Sequence, residues 1–268
     1  LDPALAFNFT IADLLQWDAL IVAALFLIIG SISDLKRREV SDKVWLVFGP
    51  LGLALTVIRL VNNASFWYLT AVSIAATSAI ALVLAFAGLY GGADAKALIC
   101  LALTVPLVPD NILPLLGHLH PILPLTVLYN AYLFALVPVT AILIRNVAEL
   151  LTSRSEFFDR QKGESGTRKL LLMLTGYRVR LGALSRSIHL FPLEEFVEGD
   201  GVRLRLFVPA ESDRESQIAN LERGLPRDSM VWATPGLPLL VFITIGYIFV
   251  LGVGDILMWA LLTALGLP

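Results

Sequence analysis

The sequence predicts an α-helical, polytopic membrane protein of about six transmembrane helices, with a small cytoplasmic α+β domain inserted before the last one. Three observations carry this. Of 268 residues, 57% are apolar and 16% charged, against about 25% charged in ordinary soluble domains, and the mean hydropathy is +0.79. Charge is also segregated: residues 152–233 hold 13 of the 20 Lys and Arg and 12 of the 22 Asp and Glu. Finally, a hydrocarbon layer of about 30 Å takes helices of about 20 apolar residues, and such runs lie near 14–33, 44–61, 69–88, 95–114, 123–145 and 235–255. The chain thus divides into a membrane part, 1–151, with spans one to five, a water-exposed insert, 152–233, and a C-terminal transmembrane helix within 234–268.

Each element has its own signals. Residues 1–17 lack the basic flank of a secretory signal peptide, so the first apolar run is expected to remain as a span. The third begins at Trp67 and Tyr68, residues suited to a membrane interface. The fourth is the weakest, because Pro106, Pro109 and Pro114 interrupt it after about 14 regular residues. In the insert, Gly163, Gly166, Gly199, Gly201 and Pro226 break the chain, and residues 202–208 alternate like a half-buried strand. A helix is expected over 211–223, and a flexible stretch around 160–168, which lacks apolar anchors. The last span can extend through Trp259 to Leu267.

Lys and Arg accumulate in cytoplasmic loops. Lys36, Arg37, Arg38 and Lys43 lie between spans one and two, Lys96 between three and four, and Arg145 with the whole insert after five. With those regions inside, 19 of 20 basic residues are cytoplasmic, both termini are outside, and Arg59 alone lies on the outer side. The expected location is therefore the cell membrane, multi-pass, in contact with the lipid bilayer. Other classes fall away. Cys100 is the only cysteine, which excludes a disulfide framework or a CxxC site within one chain. Basic and acidic residues nearly balance, which argues against nucleic acid as a partner. The chain has no GxSxG, HExxH or Walker A motif. His118 and His120 flank Leu119 but have no nearby third ligand, so no metal and no cofactor is expected.

Two carboxylates need a reason to be at the membrane, where burying one is costly. Asp34 ends span one and Asp94 begins span four, so both fall at the cytoplasmic face. Two carboxyl groups within hydrogen-bond reach do not both ionise readily, and a pair sharing one proton supplies an acid and a base together. The ionised member takes a proton from water while the protonated member polarises a carbonyl, which is general acid–base amide hydrolysis. Gly91, Gly92 and Ala93 remove bulk beside Asp94, so another backbone can come close. Lys96 is placed to bias Asp94 toward ionisation.

Ser33–Val40 (SDLKRREV) followed by Gly91–Leu98 (GGADAKAL) resembles the type IV prepilin peptidases, in particular their archaeal branch, the preflagellin/prepilin peptidases, GxGD-type membrane aspartic peptidases. A weaker similarity lies around Val127–Ala131 and Trp232–Pro235. Ala93 stands where the family's GxGD has its second Gly. The resemblance implies a membrane aspartic endopeptidase that removes the short basic leader (class III signal) peptide from archaellin and type IV pilin precursors at the cytoplasmic face. It makes Asp34 and Asp94 the catalytic pair, with Gly91, Gly92, Ala93, Lys96, Lys36 and Arg38 as the supporting motif. Its partners are preflagellin and prepilin precursors. The single cysteine excludes the tetracysteine zinc loop of bacterial relatives, and N-methylation is not expected.

Bland readings stand beside these. Asp34 can be an ordinary helix-end carboxylate, and Asp94 an N-terminal residue favoured by the helix dipole. Lys36, Arg37, Arg38 and Lys43 serve mainly as topology determinants and lipid-headgroup contacts. Gly252-Val253-Gly254-Asp255 matches GxGD literally, yet Asp255 lies about 20 residues beyond Pro235 and should emerge on the outer side. The alternative function is a small cation- or proton-coupled transporter using both aspartates. Such proteins place their acidic groups near the midplane and show repeat-related halves, whereas both aspartates here sit at one face and no internal repeat is clear. A relative of presenilin is a third reading, which the D-x-K-x-R context of Asp34 disfavours.

Overall fold

Apolar runs of about 20 residues satisfy their backbone internally by coiling, and the first three predicted spans do so almost end to end. A computed structural model describes residues 11–110, 112–117, 119–152, 157–199, 201–206 and 214–267. Helices α1 (Ile11–Arg37), α2 (Asp42–Asn62) and α3 (Trp67–Phe86) follow one another, then a short α4 (Gly92–Thr104) and a long α5 (Leu123–Thr152). After the insert come α9 (Leu239–Gly252) and α10 (Ile256–Ala264). Two units separate: Leu1–Ala135 with Pro238–Pro268, and Leu136–Leu237.

In the first unit α4 packs against α1, α2 and α3, and α9 lies along α1. Gly52 of α2 makes the α2–α4 approach possible: a Cβ there would lie 1.9 Å from Thr104 Oγ1. Small residues let membrane helices approach this closely, where van der Waals contact replaces the missing hydrophobic drive. Polar pins set the register of α1 and α9. Ser31 Oγ donates to Leu240 O at 3.1 Å, Thr244 Oγ1 donates to Leu27 O at 3.2 Å, and Tyr247 OH donates to Leu20 O at 2.8 Å. The helices are therefore antiparallel, and the start of α9 lies beside the end of α1.

Two expected spans differ in form. Four helices are individually long and apolar enough to cross a membrane, and α9 with α10 forms a fifth candidate bent by 56°. The expected fourth span, 95–114, stops as a helix at Thr104 after 13 residues. The cause is local: Pro106 has no N–H for the helix and disfavours helical geometry at Val105. The chain continues as an irregular segment in which Val108 N donates to Pro121 O and Leu115 N to Gly252 O. The last span breaks at Gly254, whose φ is +117. Beyond it Asp255 caps α10, accepting the Met258 N–H at 2.9 Å.

The second unit holds α6 (Gly166–Thr175), β1 (Tyr177–Arg180), α7 (Leu181–Leu184), β2 (Leu190–Pro192), β3 (Glu194–Val197), β4 (Gly201–Leu204), α8 (Arg214–Gly224) and β5 (Met230–Pro235). An antiparallel sheet has the order β1-β5-β2, and β3 pairs with β4. Alternation along β5 sends Val231 and Ala233 into one apolar cluster and Trp232 into another, with Phe157 and Leu172. The alternating run ends earlier as a strand than expected, at Leu204, and the helix starts at Arg214. Residues 207–208 and 211–213 of those expectations lie outside the described residues. In the stretch 160–168 a 3-10 turn covers Asp159–Gln161, and Ser165 caps α6 by accepting the Arg168 N–H at 3.4 Å. Its anchor is polar, Gln161 Nε2 donating to the buried Glu194 at 2.5 Å.

Candidate active site

Asp34 sits in the last turn of α1, and its carbonyl accepts the Arg38 N–H at 2.8 Å. That bond closes the helix with Arg38 in the left-handed region, φ 58, the one non-glycine there among the described residues. Side chains rarely adopt this geometry without a compensating role. Asp94 is in the first turn of α4, where unpaired amides favour a carboxylate. Its Oδ2 accepts the Gly91 N–H at 3.2 Å. A Cβ on Gly91 would lie 3.0 Å from that oxygen, so glycine leaves the carboxylate its place.

A second helix start reaches the same carboxylate. The Leu240 amide, in the first turn of α9, lies within electrostatic reach of Asp94, as do Asp34 and Arg38. The two aspartates, 60 positions apart, thus meet at one end of the first unit. Both are half-buried, while Gly91 and Gly92 are exposed, so the site has an open side. Tyr90, whose hydroxyl shares a hydrogen bond with that of Tyr132, is also within electrostatic reach of Asp94.

The supporting residues divide. Arg38 reaches Asp94, whereas Lys36 is exposed on the final turn of α1. Lys96 does not turn to Asp94 as expected. Its Nζ pairs with Asp42 Oδ1 of α2 at 2.5 Å, both side chains being largely exposed, because a helix residue two positions on faces away from Asp94. Ala93 is partly buried against the core. Asp255 lies at the far end of α9, about 20 Å along that helix from Leu240, 1% exposed and committed to capping α10. His120 accepts the Ile122 N–H at 3.2 Å, and His118 lies outside the described residues. No group of three or more His, Cys, Asp or Glu suited to a metal occurs among the described residues.

The Leu240 amide, Tyr90 and Tyr132 are neighbours that sequence reasoning missed. Tyr90 directly precedes Gly91, which is the one signal available; Leu240 lies 146 positions from Asp94 and gives none. In the second unit the sequence also conceals Glu194. It is 2% exposed, accepts hydrogen bonds from Gln161 and the Trp232 amide, and has Arg160 at 3.7 Å. Burial pushes its carboxyl up to about 7, against the opposing pull of Arg160, the Trp232 amide, Gln161 and Arg178.

Comparison with known proteins shows what the chain is similar to. Residues 21–140 match the type IV leader peptidase family, and residues 168–256 match the archaeal peptidase A24 C-terminus, type II. Preflagellin peptidase of Methanococcus maripaludis is 25% identical over 247 residues, covering 88% of this chain and 94% of the relative. That of Methanococcus voltae is 24% identical over 243 residues, with 87% and 94% covered. That of Methanocaldococcus jannaschii is 24% identical over 260 residues, with 92% and 98% covered. The two family matches take in both aspartates and much of the insert, the relatives span nearly the whole length, and the chain is a membrane peptidase similar in both parts to the type IV leader peptidases.

Proposed function

We propose that this chain is an aspartic endopeptidase that removes the leader peptide from preflagellin and prepilin-like precursors, with Asp34 and Asp94 as its catalytic pair. The observation that carries the reading is the convergence of the two carboxyl groups at one open end of the helical unit. Like charges this close ionise one at a time. With one proton shared between Asp34 and Asp94, the ionised member takes the proton from the attacking water and the protonated member donates to the scissile carbonyl. As the C–N bond breaks, the leaving amine takes up the proton that the base drew from the water, and the other carboxyl recovers its own from the tetrahedral intermediate. No metal or cofactor is required, and the new N-terminus leaves unmethylated. The names of the relatives support preflagellin as substrate. The distribution of Lys and Arg supports a cytoplasmic site with both termini outside.

Membranes containing the protein are incubated with a preflagellin precursor, and the product N-terminus is determined by mass. Asp34→Asn and Asp94→Asn are expected to abolish cleavage while leaving the chain inserted, Asp255→Asn to retain it, and EDTA to have no effect. Normal cleavage by either of the first two variants overturns the pair assignment.

A further inference from the structure

Helices α2 and α4 run side by side and parallel, since Asp42 and Lys96 pair at their starts and Thr56 and Thr104 meet near their ends. At those ends, remote from the two aspartates, the first unit contains a cavity of about 520 Å³, within the range of small-molecule sites. Leu60, Leu69, Val108 and Ile112 supply apolar walls, and Arg59 supplies a charge. Arg59 is the basic residue that the distribution of Lys and Arg leaves alone on the outer side. It is not splayed toward water. One of its nitrogens, Nη2, donates to Thr56 Oγ1 at 2.7 Å and to Thr104 O at 2.6 Å. Its Nε is buried with no acceptor, and the side-chain oxygen of Gln16, in the same cavity, is buried with no donor.

The guanidinium has no carboxylate within ion-pair distance among the described residues. Asp110 also lines the cavity but forms no ion pair with Arg59, and a half-buried charge bonded only to neutral acceptors leaves room for a partner of opposite sign. We infer that this cavity binds one anionic phospholipid with a hydroxyl-bearing headgroup, of the phosphatidylglycerol type. A phosphate oxygen accepts from Arg59 Nε, a headgroup hydroxyl donates to Gln16, and the first carbons of a chain lie along the apolar walls. Charge complementarity selects an anion, and the apolar walls select an amphiphile over a free ion. The inference stands apart from the reaction proposed at the opposite end.

The test is native mass spectrometry of the full chain released from phosphatidylcholine vesicles doped with phosphatidylglycerol. One phosphatidylglycerol is expected to stay bound in preference to phosphatidylcholine. Arg59→Met is expected to weaken that preference about tenfold, the size of one charge-assisted contact, and Arg59→Lys to restore part of it. Leu69→Trp, which fills the wall without touching the charge, is expected to exclude the lipid. An unchanged preference in Arg59→Met overturns the inference. So does displacement of the lipid by millimolar inorganic phosphate, which would mark a free-anion site. Should Arg59→Met not fold, Leu69→Trp decides, and unchanged binding there overturns it equally.

Discussion

Replacing Gly91 with alanine isolates what the Asp94 carboxylate needs. Gly91 has φ −69 and ψ 152, a conformation alanine adopts freely, so the only perturbation is the added methyl. That methyl would lie 3.0 Å from Asp94 Oδ2 and 3.9 Å from its Cγ. Relieving the contact takes a shift of roughly 0.4 Å in the carboxylate, at the expense of its 3.2 Å bond to the Gly91 amide. Since a 1 Å misplacement costs about a hundredfold in rate, a few tenths of an ångström should cost roughly three- to tenfold. Gly92→Ala is the control, because nothing lies within 4 Å of a Cβ there. Initial rates of precursor cleavage in membranes, normalised to inserted protein, give the comparison. Gly91→Ala matching the unsubstituted protein, or Gly92→Ala losing as much, would refute the part assigned to that carboxylate.

Other expectations are as specific. Glu194 is raised from 4.5 to about 7, so the folded chain holds a proton the unfolded chain has lost. Stability therefore declines as pH rises from about 4.5 to 7 and levels off above, a loss of roughly 3 kcal/mol in full. Glu194→Gln should flatten the thermal midpoint of the detergent-solubilised protein between pH 5 and 8, and an unsubstituted midpoint that rises over that range contradicts this. A Cβ at Gly246 would meet Val127 O at 2.7 Å and Ala131 N at 2.9 Å, both backbone atoms that cannot rotate away. Gly246→Ala should cost about 1–3 kcal/mol in denaturant titration, with Gly252→Ala, which meets nothing within 4 Å, near neutral. Lys96→Met removes an ion pair whose side chains are 48% and 74% exposed, so it should cost at most about 1 kcal/mol and leave cleavage within about twofold; a larger rate loss would tie Lys96 to Asp94 after all.

Much of this fold was legible because its strongest signal is solvent chemistry. Apolar runs and segregated charge mark α1, α2, α3 and α5 and the sheet-containing insert without any knowledge of contacts. The acidic residues at two helix ends were legible for the same reason, since a carboxylate in such runs stands out. What stayed hidden depends on pairs distant in sequence. Nothing in the residues around Lys96 announces Asp42, 54 positions earlier, and nothing near Arg59 announces that it turns inward to the last carbonyl of α4. The prolines after Thr104 signalled an interruption, but whether a span resumes beyond them depends on what covers the irregular segment, here Gly252 and Val253. The anchor at Gln161 stayed hidden because it is a buried amide–carboxylate contact, which hydropathy scores as polar.

The shortness of α4 bears on how the protein is made. Thirteen residues rise about 20 Å, too little to partition across a bilayer alone, so α4 must be accepted by helices already delivered by the ribosome. The amide of Leu240 emerges only after the whole insert has been translated. A nascent chain stopped before residue 240 would carry both acids without the helix whose start lies beside the end of α1, so that end of the unit is completed only when α9 docks along α1.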